Sequence, residues 1–200
     1  MRTASIAVAA CAFGAATFAM TRSAHALGPV DLEVGARAGF ASSPLSSNNG
    51  QSTGPNPLGF GLGARGGVSF LGIYGGIQIM YYFGGSENAS VPGQSISVST
   101  HTFMYGVEAG YGFTLIDILT IRPQLGIGNA SFSGSVSGSG IFAGNLANSS
   151  GSNLYLEPGV TGLVSLGGWY VGADINLLFF PGMDNSTTSF SFHGQIGLKF

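Results

Sequence analysis

Beyond residue 29, apolar and polar side chains alternate with a period of two, the signature of strands with one apolar and one polar face. The last twelve residues, Ser189–Phe200, carry it most plainly. Phe190, Phe192, Ile196, Leu198 and Phe200 share one parity, while Ser191, His193, Gln195 and Lys199 share the other. The pattern predicts seven more strands, at Asp31–Ala41, Leu58–Phe70, Ile73–Gly84, His101–Phe113, Leu119–Ser131, Leu154–Ser165 and Trp169–Phe180. Pro123 lacks a ladder donor in mid-strand, so a bulge is expected there.

The connections alternate in length. Leu71-Gly72, Leu115-Ile116-Asp117 and Gly167-Gly168 read as tight turns. Residues Ser42–Pro57, Gly85–Thr100, Phe132–Asn153 and Pro181–Thr188 read as long loops, the third flexible because it is mostly Ser, Gly and Asn. With the turns at one end, the outward aromatics fall into two rings. Phe40, Phe60, Tyr81, Phe83, Phe103, Tyr105, Phe179, Phe190 and Phe192 lie near the loops, and Phe70, Tyr111, Phe113, Trp169 and Phe200 near the turns. Such girdles belong where aromatic rings meet two membrane interfaces.

Composition sharpens this picture. Only 7% of the 200 residues are charged and 35 are Gly, whereas a soluble domain carries about 25% charged residues. No apolar run beyond the N-terminus is long enough for a spanning helix. Lipid leaves one other solution for the backbone, a closed barrel. The expected fold is all-β: an eight-stranded antiparallel up-and-down transmembrane barrel over residues 27–200. Residues 1–26 read as a secretory signal, with Arg2 ahead of an apolar stretch Ile6–Ala19 and an Ala24-His25-Ala26 cleavage site. The one cysteine, Cys11, falls inside that segment, so the remainder has no disulfide framework. Without Arg2 and Arg22 the chain keeps four basic against eight acidic residues, a formal net charge of −4. That excludes a basic nucleic-acid surface.

The eight alternating segments, stretches such as Gly110-Tyr111-Gly112-Phe113 and Arg122-Pro123-Gln124-Leu125-Gly126-Ile127-Gly128, and the terminal Phe200 together resemble the OmpA-like and OmpX-type small outer-membrane barrels, a porin-like family. The resemblance covers nearly all of the chain after residue 26 and is carried by pattern. It implies a multi-pass protein of the outer membrane of a Gram-negative cell envelope, with both termini periplasmic. It further implies outer-membrane lipid and lipopolysaccharide as surroundings. Phe200 would act as the insertion signal, read by the barrel-insertion machinery through the C-terminal strand.

Eight of the twelve remaining charges have inward parity: Glu33, Arg37, Arg65, Glu108, Arg122, Glu157, Asp174 and Lys199. Buried charges must be paired, so a balanced inward set suggests a salt-bridged lumen network. Glu33 and Lys199, on strands that close the barrel, are expected to be neighbours. Inward glycines such as Gly61, Gly63, Gly106, Gly110, Gly126 and Gly128 allow strand coiling with long side chains lying across them, or alternatively a narrow water pathway. Inward Tyr74, Met80, Tyr82, Met104 and Leu178 predict an apolar zone toward the loop half, by default packing and alternatively a pocket for a hydrophobic ligand.

No cofactor, metal or catalytic site is expected. Gly61–Gly66 matches a dinucleotide fingerprint but lies within a strand. His101 and His193 have no ligand spacing. His193 with Asp174 or Glu157 and Ser191 could be assembled into a hydrolase-like set, yet a hydrogen-bonded core histidine is the simpler account. The expected role is a surface scaffold serving envelope integrity or adhesion, with a surface ligand for its loops as a further option. The alternatives are a small porin or hydrophobic-solute conduit and, further off, a lipid-modifying enzyme.

Overall fold

The structure is a computed structural model that describes residues 30–42, 56–91, 94–116, 118–139, 144–182 and 187–200. The expected signal segment, Cys11, most of the first long loop, Asp117 and Asp184 lie outside the described residues. Ten strands form one antiparallel sheet. They are β1 (Val30–Ser42), β2 (Gly59–Phe70), β3 (Ile73–Tyr82), β4 (Ser86–Val91), β5 (Gln94–Tyr111), β6 (Phe113–Ile116), β7 (Leu119–Ser139), β8 (Gly144–Leu166), β9 (Trp169–Phe180) and β10 (Thr187–Lys199). Pairing of β1 with β10 and of β5 with β7 closes the sheet into an eight-stranded barrel of β1, β2, β3, β5, β7, β8, β9 and β10. The short β4 follows β3 after a break at Phe83–Gly85, where Gly84 takes a φ of 64°, and β6 follows β5 after Gly112.

Register fixes the barrel's geometry. Partners can be followed once round the wall as Ala41, Ser191, Asn176, Gly159, Gln124, Gly110, Tyr74, Ser69 and Asp31. The path leaves β1 at Ala41 and rejoins it at Asp31, ten residues lower. A stagger of about 33 Å against a width of about 38 Å measured across the eight strands gives a strand tilt near 40°. Outward side chains are apolar and exposed from Leu32 and Val34 through Ile77, Val107, Leu125 and Ile175 to Ile196. Inward ones are buried and mostly polar. A soluble barrel has the reverse arrangement.

The tight turns follow backbone chemistry. Leu71 and Gly72 both have positive φ, 50° and 85°, the requirement of a two-residue hairpin turn matched to strand twist. Gly167 takes a φ of 71° between β8 and β9.

Four expectations are corrected. Pro123 causes no bulge. The pairs Gly110–Gln124 and Phe113–Ile121 keep one register on either side of it, so pairing lapses where the donor is missing and no residue is inserted. Most of Gly85–Thr100 is strand, a hairpin of β4 with the upper part of β5. The serine-rich Phe132–Asn153 is also largely strand: β7 and β8 pair from Leu119–Val164 up to Gly138–Gly144. Finally, Tyr74 belongs to the turn-end half, apart from the apolar cluster near the loops.

Candidate functional site

The interior is filled in layers. At the turn-end rim, Lys199 Nζ donates to Asp31 Oδ2 at 2.9 Å, both partly exposed. Glu33 and Lys199 are backbone partners, yet the Glu33 carboxylate does not serve Lys199. It accepts both Arg122 nitrogens, at 2.6 and 2.9 Å, and the Ser69 hydroxyl at 3.2 Å. The fork of a guanidinium matches two carboxylate oxygens as an ammonium cannot, and that match decides the partner. The next layer is Tyr74, whose ring lies under the guanidiniums of Arg122 at 4.0 Å and Arg65 at 5.1 Å. Its hydroxyl donates to Glu108 at 2.7 Å, and Arg65 meets the same carboxylate oxygen at 2.8 Å. Arg65 also donates to Gln124 and Gln195, both at 3.3 Å.

Arg37 occupies the centre. It donates to Asp174 at 2.8 Å and to Gln78, with Glu157 at 3.9 Å. Gln78 passes its own amide hydrogens to Glu157 at 2.6 Å and Tyr155 at 3.3 Å. His193 is fully buried, its Nδ1 2.7 Å from Asp174 and its Nε2 2.7 Å from the Tyr82 hydroxyl. Both ring nitrogens are engaged, and Ser191 Oγ has no hydrogen-bond partner among the described residues. No Ser–His pair forms. Among the described residues no three metal-ligating groups converge. His101 stacks on Tyr81 at 5.8 Å on the outer wall.

Toward the loops, Met80, Tyr82, Met104, Tyr155, Leu178 and Phe180 pack into an apolar cluster with Leu58, Ala41, Ala130 and half-buried Phe132. Neutral partners and caps were the part that charge counting missed: Gln78, Gln124, Gln195, Asn176, Thr161, Tyr155, Tyr170, Phe132 and Phe180. Their inward parity was the available signal. The glycines are explained by the tyrosines. A Cβ on Gly35 would overlap Tyr170 Oη, and one on Gly197 would fall 2.5 Å from the same atom. One on Gly67 would lie 2.5 Å from the Tyr74 ring, and one on Gly106 2.6 Å from Tyr155 Oη. The rings occupy the space that the missing side chains leave.

Two voids remain. One of about 10 Å³ lies among Arg37, Gln78, Tyr82, Glu157 and His193. The other, about 170 Å³, is a polar vestibule at the turn end, lined by Asp31, Glu33, Arg122, Tyr170 and Lys199 among others. The smaller void also borders the apolar cluster, at Met80, Met104 and Tyr155. On the outer wall, Phe40, Phe60, Phe70, Tyr81, Phe83, Phe103, Tyr105, Tyr111, Phe113, Trp169, Phe190, Phe192 and Phe200 are exposed, and Phe179 is half-buried. Phe40 pairs with Phe60 on one side and Phe192 on the other.

The sequence model described as "Outer membrane protein beta-barrel domain" matches residues 5–200. The chain belongs to that family. As a member it is an eight-stranded barrel of the bacterial outer membrane. A major outer membrane protein from Thermus thermophilus is similar in fold, with a TM-score of 0.62 at 13% identity over 86% of this chain and 99% of that one. Neisserial surface protein A is likewise similar, with a TM-score of 0.51 at 15% identity over 86% of this chain and 97% of that one. Among curated proteins none matches the chain.

Proposed function

We propose that this outer-membrane barrel is a closed scaffold that presents its loop-end hairpins to the surroundings, serving envelope integrity or adhesion rather than transport. The observation that carries this reading is the central layer, where Arg37, Gln78, Glu157, Asp174 and His193 bond to one another across the bore. The void beside them holds about 10 Å³, the scale of one water. The wider vestibule ends at the Glu33–Arg122 pair. A hydrophobic-solute conduit would need a cavity of some 300 Å³ or more.

In this reading the loop end faces outward and both termini lie in the periplasm, with the aromatic rings at the two lipid interfaces. Phe200 exchanges two backbone hydrogen bonds with Leu32, at 2.9 and 3.0 Å. This supports a C-terminal strand that insertion machinery would receive and then release to β1. The deciding experiment is single-channel recording of protein refolded into planar bilayers, once its gel mobility proves heat-modifiable. The expected trace is silent. Reproducible conductance steps from a folded barrel would replace the scaffold reading with that of a small porin.

A further inference from the structure

Above the apolar band, β4, upper β5, upper β7 and the first part of β8 continue as a four-stranded sheet on one side of the barrel. Its inner face belongs to the cap: Phe132 packs on Phe180, and Thr102 donates to the Pro57 carbonyl. Its outer face is different. Across the β5–β7 ladder Ser99 faces Ser135, Ser97 faces Ser137 and His101 faces Ser133. Across the β7–β8 ladder the row goes on from Ser133 to Ser150 and from Ser131 to Ser152. Ser99 and Ser135 hydroxyls are 2.8 Å apart, and Ser152 donates to Asn129 at 2.7 Å, so these side chains share one surface. Strands about 4.8 Å apart, with same-face residues about 6.8 Å apart along each, make it a lattice of hydroxyl and amide groups.

We infer that this serine face docks the uncharged sugar head groups of glycolipids in the leaflet that surrounds the loop end. It rests on the reading above that the loop end lies at the outer leaflet. Continuity fixes the occupant. The same faces of β5 and β7 carry Tyr105 and Val107, and Leu125 and Ile127, in the lipid-facing wall directly below, so whatever meets the serines sits on the lipids that meet those residues. Charge fixes the chemistry. Every Lys or Arg among the described residues is inside the bore or at the turn end, as Arg37, Arg65, Arg122 and Lys199. No cation among the described residues faces this surface to receive a phosphate. Hydroxyls and carboxamides both donate and accept, as sugar hydroxyls do. The stacked Tyr81 and His101 rings at the foot of the lattice offer an aromatic face to sugar C–H groups.

The test uses the full mature barrel refolded in phosphatidylcholine vesicles containing equal minor fractions of digalactosyl diacylglycerol and phosphatidylglycerol with matched acyl chains. Lipid retained on the extracted barrel is measured by mass spectrometry. The galactolipid should be enriched on the order of tenfold over phosphatidylglycerol. Enrichment should vanish in the triple variant Ser131→Ala, Ser133→Ala, Ser135→Ala and survive in the matching Ser→Thr triple, each shown folded by heat-modifiable mobility. Equal retention of the two lipids, or enrichment unchanged by the alanines, overturns the inference. So does retention abolished by excess soluble dextran, which would make the face a receptor for free glycans. A silent barrel without enrichment rejects only this inference; a conducting barrel with enrichment rejects only the scaffold reading.

Discussion

Arg37 has the most to lose from substitution. Its guanidinium is the one buried cation among Asp174, Glu157 and His193, and Arg37→Ala would leave two buried carboxylates without it. A broken buried pair costs about 3–5 kcal/mol, so the unfolding free energy of the refolded barrel, from urea titration, should fall by an amount in that range. Adding Asp174→Ala should cost less than the two single losses together, because the second change removes the stranded charge. The glycines give a sharper comparison. Gly197→Ala sets a Cβ against the Val34 carbonyl oxygen, which is backbone and cannot step aside, whereas Gly75→Ala meets nothing within 4 Å. The first should destabilise by roughly 1–3 kcal/mol through overpacking, and the second should be neutral or slightly stabilising because it restrains the unfolded chain. Equal midpoints for the two would contradict the tyrosine-over-glycine packing. Parity alone made the inward charges readable. It could not say that Glu33 prefers Arg122 to its backbone neighbour Lys199, because side-chain reach across the bore leaves no trace in sequence spacing.

At the scale of elements, the lower strands were legible and the upper ones were not, for one physical reason. Within the band, one face meets lipid and the other the bore, so apolar and polar residues alternate strongly along β2 or β9. Above it both faces can be small or polar. Ser131, Ser133, Ser135 and Ser137 alternate with Phe132, Gly134 and Val136, a weak version of the same period that composition disguised as a flexible loop. Here β7 keeps its partner β5 on one side, while β8 on the other has no further strand beyond it. Over residues 144–153, β8 pairs with β7, and its pairing with β9 begins at Leu156–Phe179. The upper hairpin is therefore an appendage of the barrel, held on one side. Replacing Gly134–Ser149 by a two-residue Asn-Gly turn should leave heat-modifiable mobility intact and change the unfolding free energy from urea titration by no more than about 1 kcal/mol. Phe132 stays in place in that deletion and with it the contact to Phe180. Loss of the folded band on the gel would show that the hairpin is needed to close the wall.

For the whole molecule, strand number and stagger set the bore before any side chain is chosen. Eight strands leave an interior that side chains can fill, and here it is filled at successive levels: Glu33 with Arg122, Tyr74 beneath Arg65 and Glu108, the Arg37 layer, and the Met80–Tyr82–Tyr155 cluster. Independent plugs in series have a consequence for conductance. Arg37→Ala removes one level and leaves obstructions on both sides, so this variant should remain electrically silent in planar bilayers even though it is less stable. A pathway requires every level to be thinned, for example Arg37→Ala combined with Arg122→Ala, Tyr74→Ala and Met80→Ala. If that protein still folds in lipid, it should open discrete steps that the parent lacks. Steps from Arg37→Ala alone would mean that the layers are mechanically linked, and that loss of the central guanidinium lets Arg65 and Arg122 swing out of the bore together.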